Sequence, residues 1–482
     1  MSETVALTAA QERQLGEMVA TRLPVAGELG RRFAAAGHQL YLVGGSVRDA
    51  LLNRITTDLD FATSARPEAT RQLLGGWARH VWDIGAPFGT ISAAKDGWKL
   101  EITTFRADTY TAGSRHPEVA YGSEIDGDLS RRDFTVNAMA VQLPEVRFVD
   151  PFGGLADLRD RLLRTPVDPE RSFGDDPLRM VRLARFAATL EAAADAAARN
   201  AASAMAAELD HISRERIRDE LDRLIVAPAA GRGMDLLCDT GLAERFLPEV
   251  PALRMERDPI HHHKDVYTHT MAVVERCDRG DRVLRLAALL HDIGKPATRE
   301  FHRGGKVSFH HHEAVGAKMV RIRLRELRYP NDEISDIADL VQLHLRFHGY
   351  AEGEWSDSAV RRYVRDAGRD EQLRRLNALS RADVTTRNKA KARQLDRAMS
   401  DLEARIERLQ AEEEIAKVRP PLDGRQIMAH LGLKPGPLVG AARQVLLEAR
   451  LDRGPMTDSE AYALLDGWAV EQGLRPSSGD QV

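Results

Sequence analysis

The stretch from Leu42 to Thr63 constrains this chain more than any other. It runs from an apolar strand into Gly44 and Gly45, through a short helical pattern holding Arg48 and Asp49, and out onto a second strand bearing Asp58 and Asp60. Carboxylates two positions apart on a strand face the same way, about 7 Å apart at the backbone. Such a pair can share a hard cation. Leu59 and Phe61 alternate with the acids, which anchors the strand on one face and leaves the acidic face open. Without those flanks, two solvated acids on an edge strand would be the simpler reading. Gly44 and Gly45 let the backbone approach a ligand closely, and the helix over 46–52 offers its first amides to a phosphate.

A third acid, Glu101, lies in the alternating segment from Lys99 to Arg106, with Leu100 and Ile102 on the reverse face. Three carboxylates on adjacent strands would hold the two magnesium ions of a nucleotidyl transfer about 4 Å apart.

A length of 482 residues predicts three or four domains or subdomains. A formal net charge of −4 gives no global electrostatic case for nucleic-acid binding, so any basic surface must be local. Cys238 and Cys277 stand far apart, which excludes a disulfide framework or a cysteine zinc site and fits a reducing cytosol. No apolar run reaches the roughly 18 residues of a membrane span. The expectation is a cytoplasmic protein with no membrane partner.

Apolar residues at helical spacing predict a helix from Leu15 to a stop at Gly37. Residues 107–129 are rich in turn formers and read as a mobile loop with at most a short strand over 118–121. Beyond the turn Phe148–Leu155 the chain reads as overwhelmingly helical. The stretch Ser172–Phe186 opens the next helix, with Asp176 before Pro177 as a good N-cap and Pro177 at the first helical position, and that helix is expected to continue through Ala-rich sequence to about Leu209. Asp176, Arg179 and Arg182 recur every three residues on its polar face. A carboxylate beside a guanidinium fork can mimic a complementary base by hydrogen bonding. Ser213 caps a further helix carrying Arg216, and a long charged helix runs to about Lys417 before Pro420 and Pro421 break it. A small helical tail follows, and the residues after Gly473 read as disordered.

The stretch Leu42–Thr63 resembles the signature of the polymerase-β-like nucleotidyltransferases, specifically the bacterial class II tRNA CCA-adding enzymes and their relatives the bacterial poly(A) polymerases. Further motifs follow in the family's order. The resemblance implies a palm-like mixed sheet, Asp58 and Asp60 as catalytic magnesium ligands with Glu101, and Gly44, Gly45 and Arg48 near the triphosphate. The segment Leu129–Ala140 is similar to the family's second motif, which implies that Arg132 and Asp133 contact the ribose. Asp176 and Arg179 match the protein template of the family's Glu-Asp-x-x-Arg motif, with Asp175 standing where the family has Glu. The stretch around Arg216 resembles the motif beside the nucleotide pocket. A loop at 107–129 is associated in the family with adding the terminal A, and the tail with contacting tRNA.

Histidines concentrate between residues 261 and 348. His269, His291, Asp292, His312, His344 and Asp383 reproduce the order of the dinuclear pattern of the HD phosphohydrolase superfamily. Asp292 would bridge two divalent ions, with His261, His262, His310 and His311 as neighbours without ligand roles, although sequence alone does not separate His310, His311 and His312. The expectation is therefore an α+β nucleotidyltransferase palm with a mixed β-sheet (1–165), then an all-α neck (166–250), HD domain (251–395) and tRNA-binding tail (396–482). Its partners would be tRNA, CTP and ATP, and its reaction CCA addition to the tRNA 3′ end, with a phosphatase or 2′,3′-cyclic phosphodiesterase in the HD domain. Alternatives are a poly(A) polymerase, or an HD phosphohydrolase whose N-terminal domain only binds RNA.

Overall fold

The computed structural model describes residues 7–54, 57–83, 86, 89–108, 119–122, 124–255, 265–303, 307–352, 355–384, 389–413, 420–454 and 456–474. The chain divides into two compact units, Met1–Phe246 and Leu247–Val482.

The first unit is built on a seven-stranded mixed sheet among the described residues. In chain order its strands are β1 (Leu40–Val43), β2 (Asp58–Thr63), β3 (His80–Trp82), β4 (Thr90–Lys95), β5 (Trp98–Thr104), then, after the separate hairpin β6 (Arg106–Asp108) and β7 (Val119–Tyr121), β8 (Ala140–Leu143) and β9 (Arg147–Val149). The spatial order is β3-β4-β5-β2-β1-β8-β9, and β2 and β5 are the parallel pair. Alternation sorts the two faces. Leu40, Leu42, Leu59, Phe61, Leu100, Ile102 and Val141 share one core with Leu29 and Phe33, whereas Tyr41, Val43, Ala62 and Ala140 pack with Phe105 and Leu129 on the other face. Asp58 and Asp60 share the parity of Ala62, so the second core ends where the acids begin.

The helices of this unit begin with α1 (Ala9–Glu17) and α2 (Pro24–Ala35), joined by a π-helical turn at Met18–Arg22. The single helix expected from Leu15 to Gly37 is therefore broken, because Pro24 carries no amide hydrogen and opens a new helix at its first position. Next come α3 (Gly45–Leu51), α4 (Pro67–Leu74), α5 (Ile125–Ser130) and α6 (Gly154–Asp160). The buried Asp150 carboxylate accepts the Gly154 and Leu155 amides at 2.7 and 2.9 Å and so starts α6. A Cβ at Gly154 would overlap the Thr135 carbonyl oxygen. Gly154→Ala is expected to cost about 1–3 kcal/mol, read as a lowered thermal midpoint, because backbone on both sides must yield.

The rest of the unit is α7 (Pro169–Asp175), α8 (Leu178–Leu190), α9 (Ala196–Ala204), α10 (Arg214–Ile225) and α11 (Ala230–Asp239), with a parallel bridge between β10 (Leu162–Leu163) and β11 (Ala193–Ala194). Residues 172–175 close α7, which Asp168 caps, and the extended Asp176 accepts the Leu178 amide at the start of α8, as expected of a cap before Pro177. One expectation is corrected here: the Ala-rich extension is no continuation of α8, since Glu191 adopts φ 52° and turns the chain into β11.

The second unit holds α12 (Val266–Arg276), α13 (Arg282–Leu290), the hairpin β12 (Glu300–Phe301) and β13 (Val307–Ser308), α14 (His312–Glu326), α15 (Asn331–Leu343), α16 (Arg346–Glu352), α17 (Asp357–Ala367), α18 (Asp370–Asp383) and the charged α19 (Lys389–Glu413). The tail is α20 (Gly424–Leu431), α21 (Pro437–Arg453) and α22 (Asp458–Glu471), packed through Ile427, Leu446 and Leu465. Capping boxes at Asp423 and Thr457 start α20 and α22. No described helix is long and apolar enough to cross a membrane. The body of the expected loop at 109–118, His261 and His262, the segment 414–419 and the last eight residues lie outside the described residues.

Candidate active site and metal centre

The register of β2 and β5 sets Asp58 beside Lys99 and Asp60 beside Glu101. Both aspartates are exposed while Leu59 and Phe61 are 2% and 1% exposed, so the strand is held from behind. Ser46 Oγ, in the first turn of α3, accepts the Asp60 amide at 3.1 Å and ties the glycine turn to the acidic strand. The protein wall around Asp60 raises its carboxyl pKa; Arg132 opposes the shift, and Glu101 and Asp58 add to it. Glu101 is held by Lys99 Nζ at 3.0 Å. The three carboxylates thus share one strand face without closing into a complete ligand shell. That suits magnesium, which keeps waters and takes substrate phosphates as ligands.

Gly44 has φ 70°, and a Cβ there would overlap the Arg132 guanidinium, so glycine is required both by the turn and by the arginine lying on it. Arg48 is buried, with Nε and Nη2 on the Asp49 carboxylate at 3.0 and 2.9 Å and Nη1 on Asn137 Oδ1 at 2.6 Å. The side chain braces the turn from beneath. Arg132 also donates to Asp128 at 3.2 Å.

Behind this turn lies a buried charge network. Burial would raise the Asp133 carboxyl, but Arg182 at 2.6 and 2.9 Å, Asn137 at 2.9 Å and its neighbour's amide hold it below its usual range. Arg182 reaches Glu220 at 3.2 Å, and Arg185 meets the other oxygen of Glu220 at 2.5 Å. Burial lowers the Arg185 pKa to about 10, with Glu220 opposing. The Phe186 ring is the platform for Arg48, Arg182 and Arg185, whose guanidinium carbons lie 5.2, 5.5 and 3.8 Å from its centroid. Removing Glu220, which is 3% exposed, leaves two arginines without their shared counter-charge. Glu220→Ala is expected to cost about 3–5 kcal/mol, measured by chemical denaturation, with Glu220→Gln retaining part of it.

Farther out, Asp176 accepts from Arg216 at 2.9 Å and from the Leu178 amide at 3.3 Å. Arg179 donates to the Ser172 hydroxyl at 2.9 Å and to the Arg131 carbonyl. The polar residues of this edge are thus already hydrogen bonded among themselves. Ser46, Asn137, Arg185 and Glu220 were not singled out by sequence reasoning; Glu220 carried the one available signal, as an acid on the buried side of an amphipathic helix.

The second unit brings together all six residues singled out there. His269, His291 and Asp383 form one group and Asp292, His312 and His344 another, each with ligand atoms within 4.8 Å. Asp292 links them, with Oδ2 at 3.3 Å from His291 Nε2 and Oδ1 at 3.4 Å from His312 Nε2. His269 Nε2 lies 2.8 Å from Asp383 Oδ1. Nδ1 of His291, His312 and His344 points at the carbonyls of Ala288, Phe309 and Val341 at 2.7–2.8 Å. A carbonyl only accepts, so each Nδ1 carries the proton and each Nε2 turns its lone pair inward. Those three Nε2 atoms and Asp292 Oδ1 are buried without a hydrogen-bond partner. Four inward acceptors of this kind fit a divalent cation. Burial, with His291 beside it, lowers His344 to about 3, which keeps it neutral and able to ligate. Gly294 is required because a Cβ there would overlap the His312 carbonyl. His310 and His311 are exposed and stand outside the cluster.

Three family profiles match the chain: "Poly A polymerase head domain" over residues 40–164, "Probable RNA and SrmB- binding site of polymerase A" over 195–253, and "HD domain" over 260–388. The A-adding tRNA nucleotidyltransferase of Deinococcus radiodurans is 36% identical over 89% of this chain and 95% of its own length. The CCA-adding enzyme of Lactobacillus johnsonii is 38% identical over 51% of this chain, and the match spans 58% of that enzyme. Among solved structures, the Bacillus stearothermophilus CCA-adding enzyme in complex with CTP aligns with TM-score 0.65 at 25% identity, covering 93% of this chain and 98% of that one. The mixed-sheet head, the acid-bearing strand beside a double-glycine turn, the helical remainder with its HD cluster, and a relative matched over nearly its whole length lead to one assignment: the chain belongs to the tRNA nucleotidyltransferase family, with a poly(A) polymerase-type head and an HD domain.

Proposed function

We propose that this protein adds C, C and A to the 3′ end of tRNA from CTP and ATP without a nucleic-acid template, in the cytoplasm. The observation that carries the reading is the shared face of Asp58, Asp60 and Glu101 beside the Gly44–Gly45 turn. Magnesium held by those carboxylates would supply the charge that activates the attacking 3′-hydroxyl and steadies the triphosphate. The chain's own residues do the rest. The amides after Gly44 and the Arg132 guanidinium receive phosphate, with Arg48 and Asn137 fixing the turn. Arg132 and Asp133 set the ribose, with Asp133 oriented by Arg182. Asp176 and Arg179 read the base edge, and an incoming base takes the bond that Arg216 now gives Asp176. The finer partition follows the sequence reading: head 1–165, neck 166–250, HD domain 251–395 and tail 396–482, with neck and tail contacting tRNA.

For the HD centre we propose a metal-dependent phosphatase or 2′,3′-cyclic phosphodiesterase that repairs a damaged 3′ end. His269, His291, Asp292, His312, His344 and Asp383 would hold two divalent ions, which would supply an acidified water for attack on phosphorus. Lys295, 2.7 Å from Asp292, would face the phosphate oxygens.

A narrower reading, addition of the terminal A alone, is favoured by one finding: the relative matched over 95% of its length is named an A-adding enzyme. The deciding experiment supplies tRNAs ending at the discriminator base, after C, and after CC, each with CTP or ATP alone and with both. Full CCA addition requires extension of all three to the same length. Extension of the CC-ended tRNA only establishes the A-adding reading, and long A tails independent of CTP establish a poly(A) polymerase.

A further inference from the structure

The hairpin between the cluster residues Asp292 and His312 is made of residues that bury little. Phe301 pairs with Val307 and Glu300 with Ser308, and both β12 side chains face water, Phe301 at 71% exposure. Such a short ribbon does not stand by itself. It is held by His302 Nε2 and Ser308 Oγ at 2.7 Å, and at its base by the Thr298 amide on the Gly294 carbonyl and by the bond between His312 Nδ1 and the Phe309 carbonyl. The Arg299 guanidinium carbon lies 4.5 Å from the Phe301 ring centroid. His302, Arg303, His310 and His311 are exposed around it, and Lys295 lies between hairpin and cluster, 5.8 Å from the Phe309 centroid and 2.7 Å from Asp292. Glu300 and Glu313 are nearby in sequence and Lys295 is paired with Asp292, so the cations that flank the ring in sequence are Arg299 and Arg303. An aromatic ring offered to solvent among cations, joined at both ends to metal-site residues, has the make-up of a single-strand platform, on which a base stacks while phosphates meet the charges.

We propose that Arg299 and Phe301 form a base-stacking subsite that seats the terminal nucleotide of an RNA strand and presents its 3′ phosphate to the HD centre. This rests on the phosphohydrolase reading. In that reaction a water oxygen bonds to phosphorus, one ester P–O bond of the cyclic diester breaks, and the released alkoxide takes a proton.

The test uses the full chain and Phe301→Ala and Phe301→Trp variants. The ring is exposed, so folding is retained. Hydrolysis is followed on an octanucleotide ending in a 2′,3′-cyclic phosphate and on glycerol 1,2-cyclic phosphate, which has no base. Phe301→Ala is expected to raise KM for the oligonucleotide about 5- to 150-fold, the worth of one stacked base, with kcat and the base-free reaction unchanged and Phe301→Trp near wild type. An unchanged KM, or equal losses on both substrates, overturns the subsite. In parallel, an octanucleotide with 4-thiouridine at its 3′ end is photocrosslinked and mapped by mass spectrometry; attachment to the hairpin, lost in Phe301→Ala, supports the proposal, and attachment only elsewhere overturns it. If neither diester is hydrolysed the phosphohydrolase reading fails, and the crosslink alone decides the subsite.

Discussion

Asp58→Ala and Asp60→Ala should each reduce nucleotide incorporation into tRNA by about 10³-fold or more, because a metal-bound phosphoryl oxygen draws several kcal/mol of transition-state stabilisation from its ion. Both side chains are exposed, and β2 is anchored by Leu59 and Phe61 on its reverse face. The thermal midpoint should therefore stay near wild type, which separates lost chemistry from lost fold. Asp60 adds a pH signature. The protein wall on one side of it pushes its carboxyl above the usual range, Glu101 and Asp58 add to the shift, and Arg132 opposes it. A carboxylate binds magnesium in its ionised form, so incorporation at low magnesium should fall as pH drops through that raised value, and added magnesium should shift the acid limb downward. Activity within tenfold of wild type in either variant would sink the metal-ligand role.

Two kinds of pattern were legible in the sequence: a spacing that equals the period of the element carrying it, and an order of residue types along helices. Asp58 and Asp60 differ by one strand period, and the structure adds the parallel register that brings Glu101 beside Asp60. The six HD-cluster residues were legible as an order of types along helices, and the geometry separates His312, which enters the cluster, from His310 and His311, which do not. What stayed hidden depends on long-range contact. Glu220 balances Arg182 and Arg185 from 38 and 35 residues away, and Asn137 bonds Arg48 across 89. No local pattern encodes such pairs. The helix errors have a different origin, since apolar periodicity continues through Pro24 and through Glu191 while the backbone turns at both. A proline or a left-handed residue outweighs periodicity, because the former removes a hydrogen bond outright and the latter reverses the chain.

Asp292→Ala should abolish metal binding and phosphohydrolase activity in the second unit while leaving CCA or A addition intact. Asp292 is 1% exposed and joins the two ligand groups; its carboxyl lies well below the usual range, since burial is outweighed by His291 and Lys295. Without Asp292, the Lys295 ammonium would face the inward Nε2 atoms with Asp383 as the one carboxylate left, and the oxygens that join the two ligand groups would be gone. In the wild type, a metal at 100 times its Kd should stabilise the native state by about 2.7 kcal/mol. A thermal midpoint that rises with added metal and falls with EDTA is the expected result. In Asp292→Ala that difference should vanish, with bound metal near zero by elemental analysis. A variant that still bound two equivalents of metal would show that Asp292 pairs with Lys295 for stability alone, and the bridging role would be lost with it.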